Sequence, residues 1–508
     1  MRVTTPIGTM GLLIVMVTLV AGCADQAGQS EAGNGAAATN GAANGHSDSE
    51  TAETPELPVA ETPAETDSAP AADPPTPTPA DESPAEEPAA DEPAAEEPAA
   101  PMPAEDDQAS AAPRDSNVTV IEPGPDAQEE AQLALIEAEP GHIVEFAEGT
   151  FDFNGTLSCM VENVTVRGQG PDKTILSFKN QGAGTGGEGI LSTADGFTVE
   201  NLAVEDTKSD GIKTEGCTHV VYRDLRVEWT GGPNPDNGAY GVYPVLCTDV
   251  LIERCLVIGA SDAGVYVGQS ENVIVRNNEA RGNVAGIEIE NTVGADVYDN
   301  VATNNTGGLL VFSLPELPKK TGTGCRVFNN RIVENNHDNF AREGNIVATV
   351  PPGTGVLIMA NKNVHVFDNE IRDNNTSNMS IISYHTTGRP YNDPAYDPFV
   401  EGVYIHDNIF AGGGADPKGP AGIMFNTILA GETVPDIIWD GIVNPEALVD
   451  DQLPPDLRIY IRDNGDADFA NLDVKAFQEQ REPDVQRDLA VHVGELPELD
   501  PIRIEGIE

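Results

Sequence analysis

The chain has 508 residues, with 84 Asp and Glu against 27 Lys and Arg and a formal net charge of −57 at pH 7. That surplus excludes nucleic acid and other polyanions as partners unless basic groups are locally concentrated. Six cysteines without a CxxC pair exclude a thiolate zinc framework.

In chain order, Met1–Cys23 reads as a targeting segment: Arg2, an apolar run over 11–20, then Val20-Ala21-Gly22-Cys23. That ending resembles a bacterial lipobox, which implies a lipid anchor at Cys23. Ala24 rather than Asp follows, which by analogy with enteric lipoproteins implies the outer membrane, with the domain in the periplasm or at the cell surface. Residues 24–115 are rich in Pro, Ala and Glu and hold 22 acidic residues against one basic, Arg114. They cannot bury enough apolar surface to offset the entropy of ordering, so a disordered, extended spacer is predicted.

The folded part is predicted over 116–430. It begins with an amphipathic helix at 126–138, apolar at Ala131, Leu133, Leu135 and Ile136, placed to cover the open end of a strand stack. A glycine followed by a short apolar strand then recurs: GILST at Gly189, GIKTE at Gly211, GVYPV at Gly241, GVYVG at Gly264, GIEIE at Gly286, GLLVF at Gly308 and GVLIM at Gly355. Four of the six gaps are 22 or 23 residues; the gaps of 30 and 47 carry insertions. Fourteen residues after the glycines stand Leu225, Cys255, Asn278 and Asn300, and the position continues as Asn330, Asn369 and Asn408. Alternating Val/Ile strands, such as VIVR at 273–276, precede it. A repeat this short leaves no room for a crossover helix, so each unit is one coil of a parallel β-helix, about 4.8 Å from the next. The asparagines are expected to stack inward as a ladder. Five cysteines remain beyond Cys23. Cys217 and Cys247 each lie six residues after their glycine, on equivalent sites of adjacent coils, as a disulfide or as stacked thiols. Residues 431–508 read as a strand and cap segment, from IIWDG and RIYIRDNG, followed by a loose acidic tail.

Strand alternation sorts the outward residues. The middle of one face carries Lys213, Glu215, Tyr243, Tyr266, Glu288 and Glu290; its far end carries Leu310, Phe312, Leu357 and Met359. An apolar strip of that size calls for a cover, expected from insertions 313–324 and 335–354, loop 386–400 or the C-terminal segment. Glu288 and Glu290 point the same way about 7 Å apart, and Gly268 is expected to leave a notch beside Glu290. Two carboxylates in a notch suit Ca²⁺ or acid–base work. Lys213 is the candidate base, about 14 Å from Glu288. Tyr240, Tyr243 and Tyr266 are candidate sugar platforms, with Asp210, Glu215, Asp262 and Arg389 as further binding candidates.

The strings GAYGVYPV, SDAGVYVGQSENVIVRNNEA, VAGIEIEN, NTGGLLVFSLPELP and NFAREGNIVATVPPGTGVLIMA resemble a family of bacterial exported β-helix proteins and lipoproteins, over about Asn117–Asp473. With the N-terminal capping helix read above, the resemblance implies an all-β, single-stranded right-handed parallel β-helix, and a co-exported partner protein. It carries no catalytic residues across. More broadly the fold resembles polysaccharide lyases, polygalacturonases and alginate epimerases, whose motifs are missing. There is no NTD with GHG, no pectate lyase WiDH, and in place of the epimerase DPHD only Asp397-Pro398-Phe399-Val400. Two functions are expected from these observations. One is an envelope-anchored protein that binds an extended polysaccharide, with lyase-like processing as an open addition. The other is a non-catalytic scaffold that docks a co-exported protein.

Overall fold

The computed structural model describes residues 117–182 and 184–506; Cys23, the targeting segment and the 24–115 spacer lie outside the described residues. The coils wind into three parallel sheets of 12, 11 and 10 strands. Sheet I runs from Val118–Ile121 to Ile459–Arg462, sheet II from Leu157–Cys159 to Phe469–Asn471, and sheet III from Gly149–Asp152 to Ile409–Ala411. The chain is an all-β parallel β-helix, and one apolar core runs along its axis. Val242, Val265, Ile287, Leu309, Val356 and Met379 stack in register inside sheet II, all fully buried. Each such side chain contributes roughly 2 kcal/mol of burial.

The recurring glycine has a steric cause. A Cβ built on Gly211, Gly241 or Gly286 would sit 2.6 Å from the carbonyl oxygen of the stacked glycine one coil on. Any side chain there would push the coils apart. The strand at Gly307–Phe312 pairs directly with Thr354–Met359, so the 47-residue gap is one coil with insertions.

Asn278, Asn300, Asn330, Asn369, Asn408 and Asn464 form the expected ladder, each Nδ2 donating to the next Oδ1 at 2.9–3.0 Å. A second ladder, at a turn that the sequence reading missed, joins Asn283, Asn305, Asn335, Asn374 and Asn378 at 2.9–3.2 Å. An Asn330→Asp variant replaces a buried donor with a buried charge. It loses the bonds to Asn369 Oδ1 and to the Val297 carbonyl. Urea unfolding is expected to show a loss of about 3 kcal/mol; an unchanged midpoint would show that the ladder adds nothing.

Helix α1 (Ala127–Glu137) buries Ala127, Ala131 and Leu135 in the main core. Its Gln132 side chain accepts from Ser158 N at 2.8 Å and donates to Ser158 O at 2.9 Å, occupying the ladder groups of the first strand of sheet II. Leu133 and Ile136, expected on its apolar face, are exposed instead. A helix touching a strand edge buries a narrower stripe than a helix lying on a sheet face.

Cys159, Cys217, Cys247, Cys255 and Cys325 are all buried free thiols. Cys217 and Cys247 face each other across adjacent coils. The neighbouring Cys247 thiol and burial push the Cys217 thiol up.

Beyond residue 430 the stack continues through Ile437–Trp439, Ile459–Arg462 and Phe469–Asn471. The tail expected to be loose is an ordered strap instead. It runs back along sheet I from the last strand to Glu271–Arg276, crossing six strands. His492 Nδ1 donates to Ile459 O at 3.1 Å, and Leu496 packs on Tyr404 and Tyr460. Ile502 N donates to Asp296 Oδ2 at 3.0 Å, and Asn272 Nδ2 donates to Arg503 O at 3.3 Å. Ile504 is buried. The apolar residues, not the tail's acidic composition, decide its fate, because Leu496, Ile502 and Ile504 find an uncovered row of outward side chains to sit on.

Candidate functional site

The outward face of sheet II carries two rows in register. One runs Lys213, Tyr243, then Tyr266, Glu288, Leu310 and Leu357. The other runs Glu215, Val245, Gly268, Glu290, Phe312 and Met359. The strand pleat places these residues together, as alternation predicts.

The apolar end is covered. Leu310, Phe312 and Met359 are buried and Leu357 is half-buried. Leu314 and Leu317 from the first insertion, Phe340, Val347 and Val350 from the second, and Tyr384, Tyr391 and Tyr396 from the 383–400 loop pack onto them. The covering loops are tied together: Tyr396 OH donates to Ser313 O at 2.7 Å, and Lys320 pairs with Asp393 at 2.8 Å. Among the described residues none after 430 packs on the apolar strip: 489–506 lies along sheet I, while Asp440 and Gln478 meet the 383–400 loop only at its backbone and Thr386.

The middle of the face is a buried acidic cluster beside the tyrosines that the cover packs against. Glu288 is 3% exposed, Glu290 4%, Asp210 7% and Asp262 8%. None of the four forms an ion pair with a Lys or Arg among the described residues. Burial pushes Asp210 up to about 7 against the pull of Lys213. Burial, and then the charge of Asp210, pushes Asp262 up to about 8, the nearby Tyr240 hydroxyl working the other way. Burial and then Asp262 push Glu290 up to about 8 and Glu288 well above its ordinary range. Low dielectric disfavours the charged form, and a neighbouring carboxylate adds repulsion.

The other candidates fall into two groups. Tyr240, Tyr243 and Tyr266 form a packed triad with ring centroids 4.4–4.9 Å apart. The notch expected at Gly268 is filled by the Tyr266 ring, whose Cε1 lies 2.5 Å from where a Cβ would be. Lys213 pairs with Glu215 at 2.9 Å and its Nζ lies 5.3 Å from the Tyr243 ring centroid. Arg389 is not brought into the cluster; it lies beside Tyr384 in the covering loop. Among the described residues no three His, Cys, Asp or Glu side chains are grouped to hold a metal ion. Glu288 and Glu290 would offer a cation two carboxylates, flanked by Phe312 and the Tyr266 ring. Ca²⁺ takes about 6–8 oxygens, so this donor set does not fit it. Asp210 and Asp262 precede their strands and were legible only as entrance residues. Both lie beside Tyr240, on coils that the alternation pattern orders but whose burial it does not announce.

The family model described as "Right handed beta helix region" matches residues 234–393. No curated protein matches the sequence. Among solved structures, the A-module of the Azotobacter vinelandii mannuronan C-5 epimerase AlgE4 is similar at 15% identity, covering 62% of this chain and 87% of that one, with a TM-score of 0.45. The alginate lyase of Paenibacillus sp. FPU-7 is similar at 16% identity, covering 59% and 99%, with a TM-score of 0.39. The N-terminal fragment of bacteriophage Phi29 gene product 12 is similar at 12% identity, covering 57% and 60%, with a TM-score of 0.39. At these identities the likeness is one of fold, and a fold does not carry an activity. Coil register, continuous parallel sheets and the matched region together make this chain a right-handed parallel β-helix protein.

Proposed function

We propose that this protein binds an extended glycan along the outward face of sheet II, with the Asp210–Glu290 cluster at the centre of the site. The observation that carries the reading is the pair Glu288 and Glu290. Both are almost fully buried, neither has an ion-pair partner among the described residues, and they stand beside Tyr240, Tyr243 and Tyr266. Buried carboxyls without a partner lower stability, and such groups concentrate where chemistry or ligand binding uses them. The tyrosines add apolar edges and hydroxyls suited to sugar rings. A carboxyl that keeps its proton near neutrality can donate it to a leaving oxygen, so processing fits acid–base hydrolysis better than elimination by Lys213. Entry requires the 335–353 and 383–400 loops to part. In this reading the domain is held outside the cytoplasm, at the outer membrane, by a lipid on Cys23, with 24–115 as its spacer.

A glycan array, run with and without Ca²⁺, tests the proposal. A Glu288→Gln, Glu290→Gln variant is expected to lose binding about tenfold or more, as buried charge-assisted bonds do. Unchanged binding in a folded variant would remove the site. The scaffold reading keeps one support. The apolar strip on sheet II is covered by the chain itself, but Leu133, Ile136 and Met160 stay 50–79% exposed near helix α1. Crosslinking from envelope fractions should recover one dominant co-exported partner if that reading holds.

A further inference from the structure

The charge around the cluster narrows the kind of glycan, given the glycan reading above. Asp210, Asp262, Glu288 and Glu290 are buried together, and Glu188 and Glu215 stand close enough to act on Asp210 and Tyr243. The facing groups from adjacent coils are Tyr240 and Tyr243, which add no positive charge. Among the described residues the one cation acting on the cluster is Lys213, and its Nζ is paired with Glu215 at 2.9 Å. Among the described residues Glu288 and Glu290, at 3% and 4% exposure, form no side-chain hydrogen bond and no ion pair, and their oxygens are not among the fully enclosed unpartnered atoms.

We propose that this site takes an amino-substituted glycan, held by an ammonium group between Glu288 and Glu290, and rejects glycans made of uronic acids. A uronate would bring a further carboxylate into a buried group of acids with no cation to meet it, and like charges in low dielectric repel strongly. A neutral sugar hydroxyl could bond to the protonated acids but would leave their ionisation unfavourable. An ammonium answers both unpaired side chains at once through charge-assisted bonds. It also favours the ionised carboxyl, so at pH 6, where both the amine and the cluster carry protons, binding releases a proton from the cluster to solvent.

Calorimetric titration of the whole protein with hexamers of glucosamine, N-acetylglucosamine and galacturonate tests this. The glucosamine hexamer is expected to bind about tenfold or more tighter than the acetylated one, a typical charge-assisted difference, with no measurable galacturonate binding. Repeating the glucosamine titration at pH 6 in two buffers of different ionisation enthalpy should reveal proton release, a readout that needs no variant. In Glu288→Gln, Glu290→Gln the preference for the amine should fall to about twofold or less. Equal binding of the acetylated hexamer, or galacturonate binding as tight as glucosamine, would overturn the proposal while leaving a glycan site in place. Failure of all three hexamers to bind would overturn the glycan reading with it.

Discussion

Truncation after Asp488 is expected to lower the unfolding free energy by about 4 kcal/mol, from two aliphatic side chains at about 2 kcal/mol each. Leu496 and Ile504 are the two, both buried by the strap on sheet I. The deletion also bares the rings of Tyr404 and Tyr460, which Leu496 covers. It removes the donor that Ile502 N offers Asp296, a buried carboxylate left with Arg326. Gly494 lies against the Tyr460 ring with no room for a Cβ, so Gly494→Ala should give a smaller loss in the same direction. Comparing urea midpoints of full-length and truncated protein at constant slope measures the effect. A loss below about 1 kcal/mol, the usual scatter of surface changes, would show that the strap lies on the rod without clamping it.

Stability is expected to fall as pH rises from about 4 to about 8, the reverse of ordinary acid denaturation. Asp210, Asp262 and Glu290 hold their protons to about 7, 8 and 8 when folded. Unfolded, the same groups ionise near about 4. Below that value both states are protonated and the groups contribute no difference. Between the two values the folded state binds more protons, so raising the pH favours unfolding. Above about 8 the full destabilisation is present. The slope is bounded at about 1.4 kcal/mol per pH unit per group. Carboxylates depressed by partners, such as Glu253 held down by Arg223 and Arg276 despite its burial, oppose the effect at acid pH. Unfolding of the wild type and of Glu288→Gln, Glu290→Gln across pH 5–8 isolates the cluster. The variant should flatten the curve, and parallel curves would mean that Glu288 and Glu290 are not among the groups that titrate.

The fold was legible because the repeat has a local cause. Gly211, Gly241, Gly264, Gly286 and Gly308 are glycines because the next coil's carbonyl lies where a Cβ would be. Strand alternation then assigned inward and outward residues, which is why Lys213, Tyr266 and Glu288 could be placed in one row. The ladder at Asn283 and Asn305 was missed although it repeats at the same spacing as Asn278 and Asn300. It lies in turns between strands of sheets III and II, where no apolar period draws attention.

What the sequence determined by itself is the rod, the register and the identity of the outward residues, since all three follow from contacts between neighbouring coils. The tertiary structure decided which outward residues are buried. The cover over Tyr266, Leu310 and Phe312, the neighbours of Glu288 and Glu290, comes from residues 313–322, 335–353 and 383–400, and the strap on sheet I from 489–506. Both pack against strands far away in sequence, through contacts that follow no period. Burial is what turns four ordinary acidic residues into a cluster that keeps its protons near neutrality, because desolvation depends on everything around a group and not on its own strand.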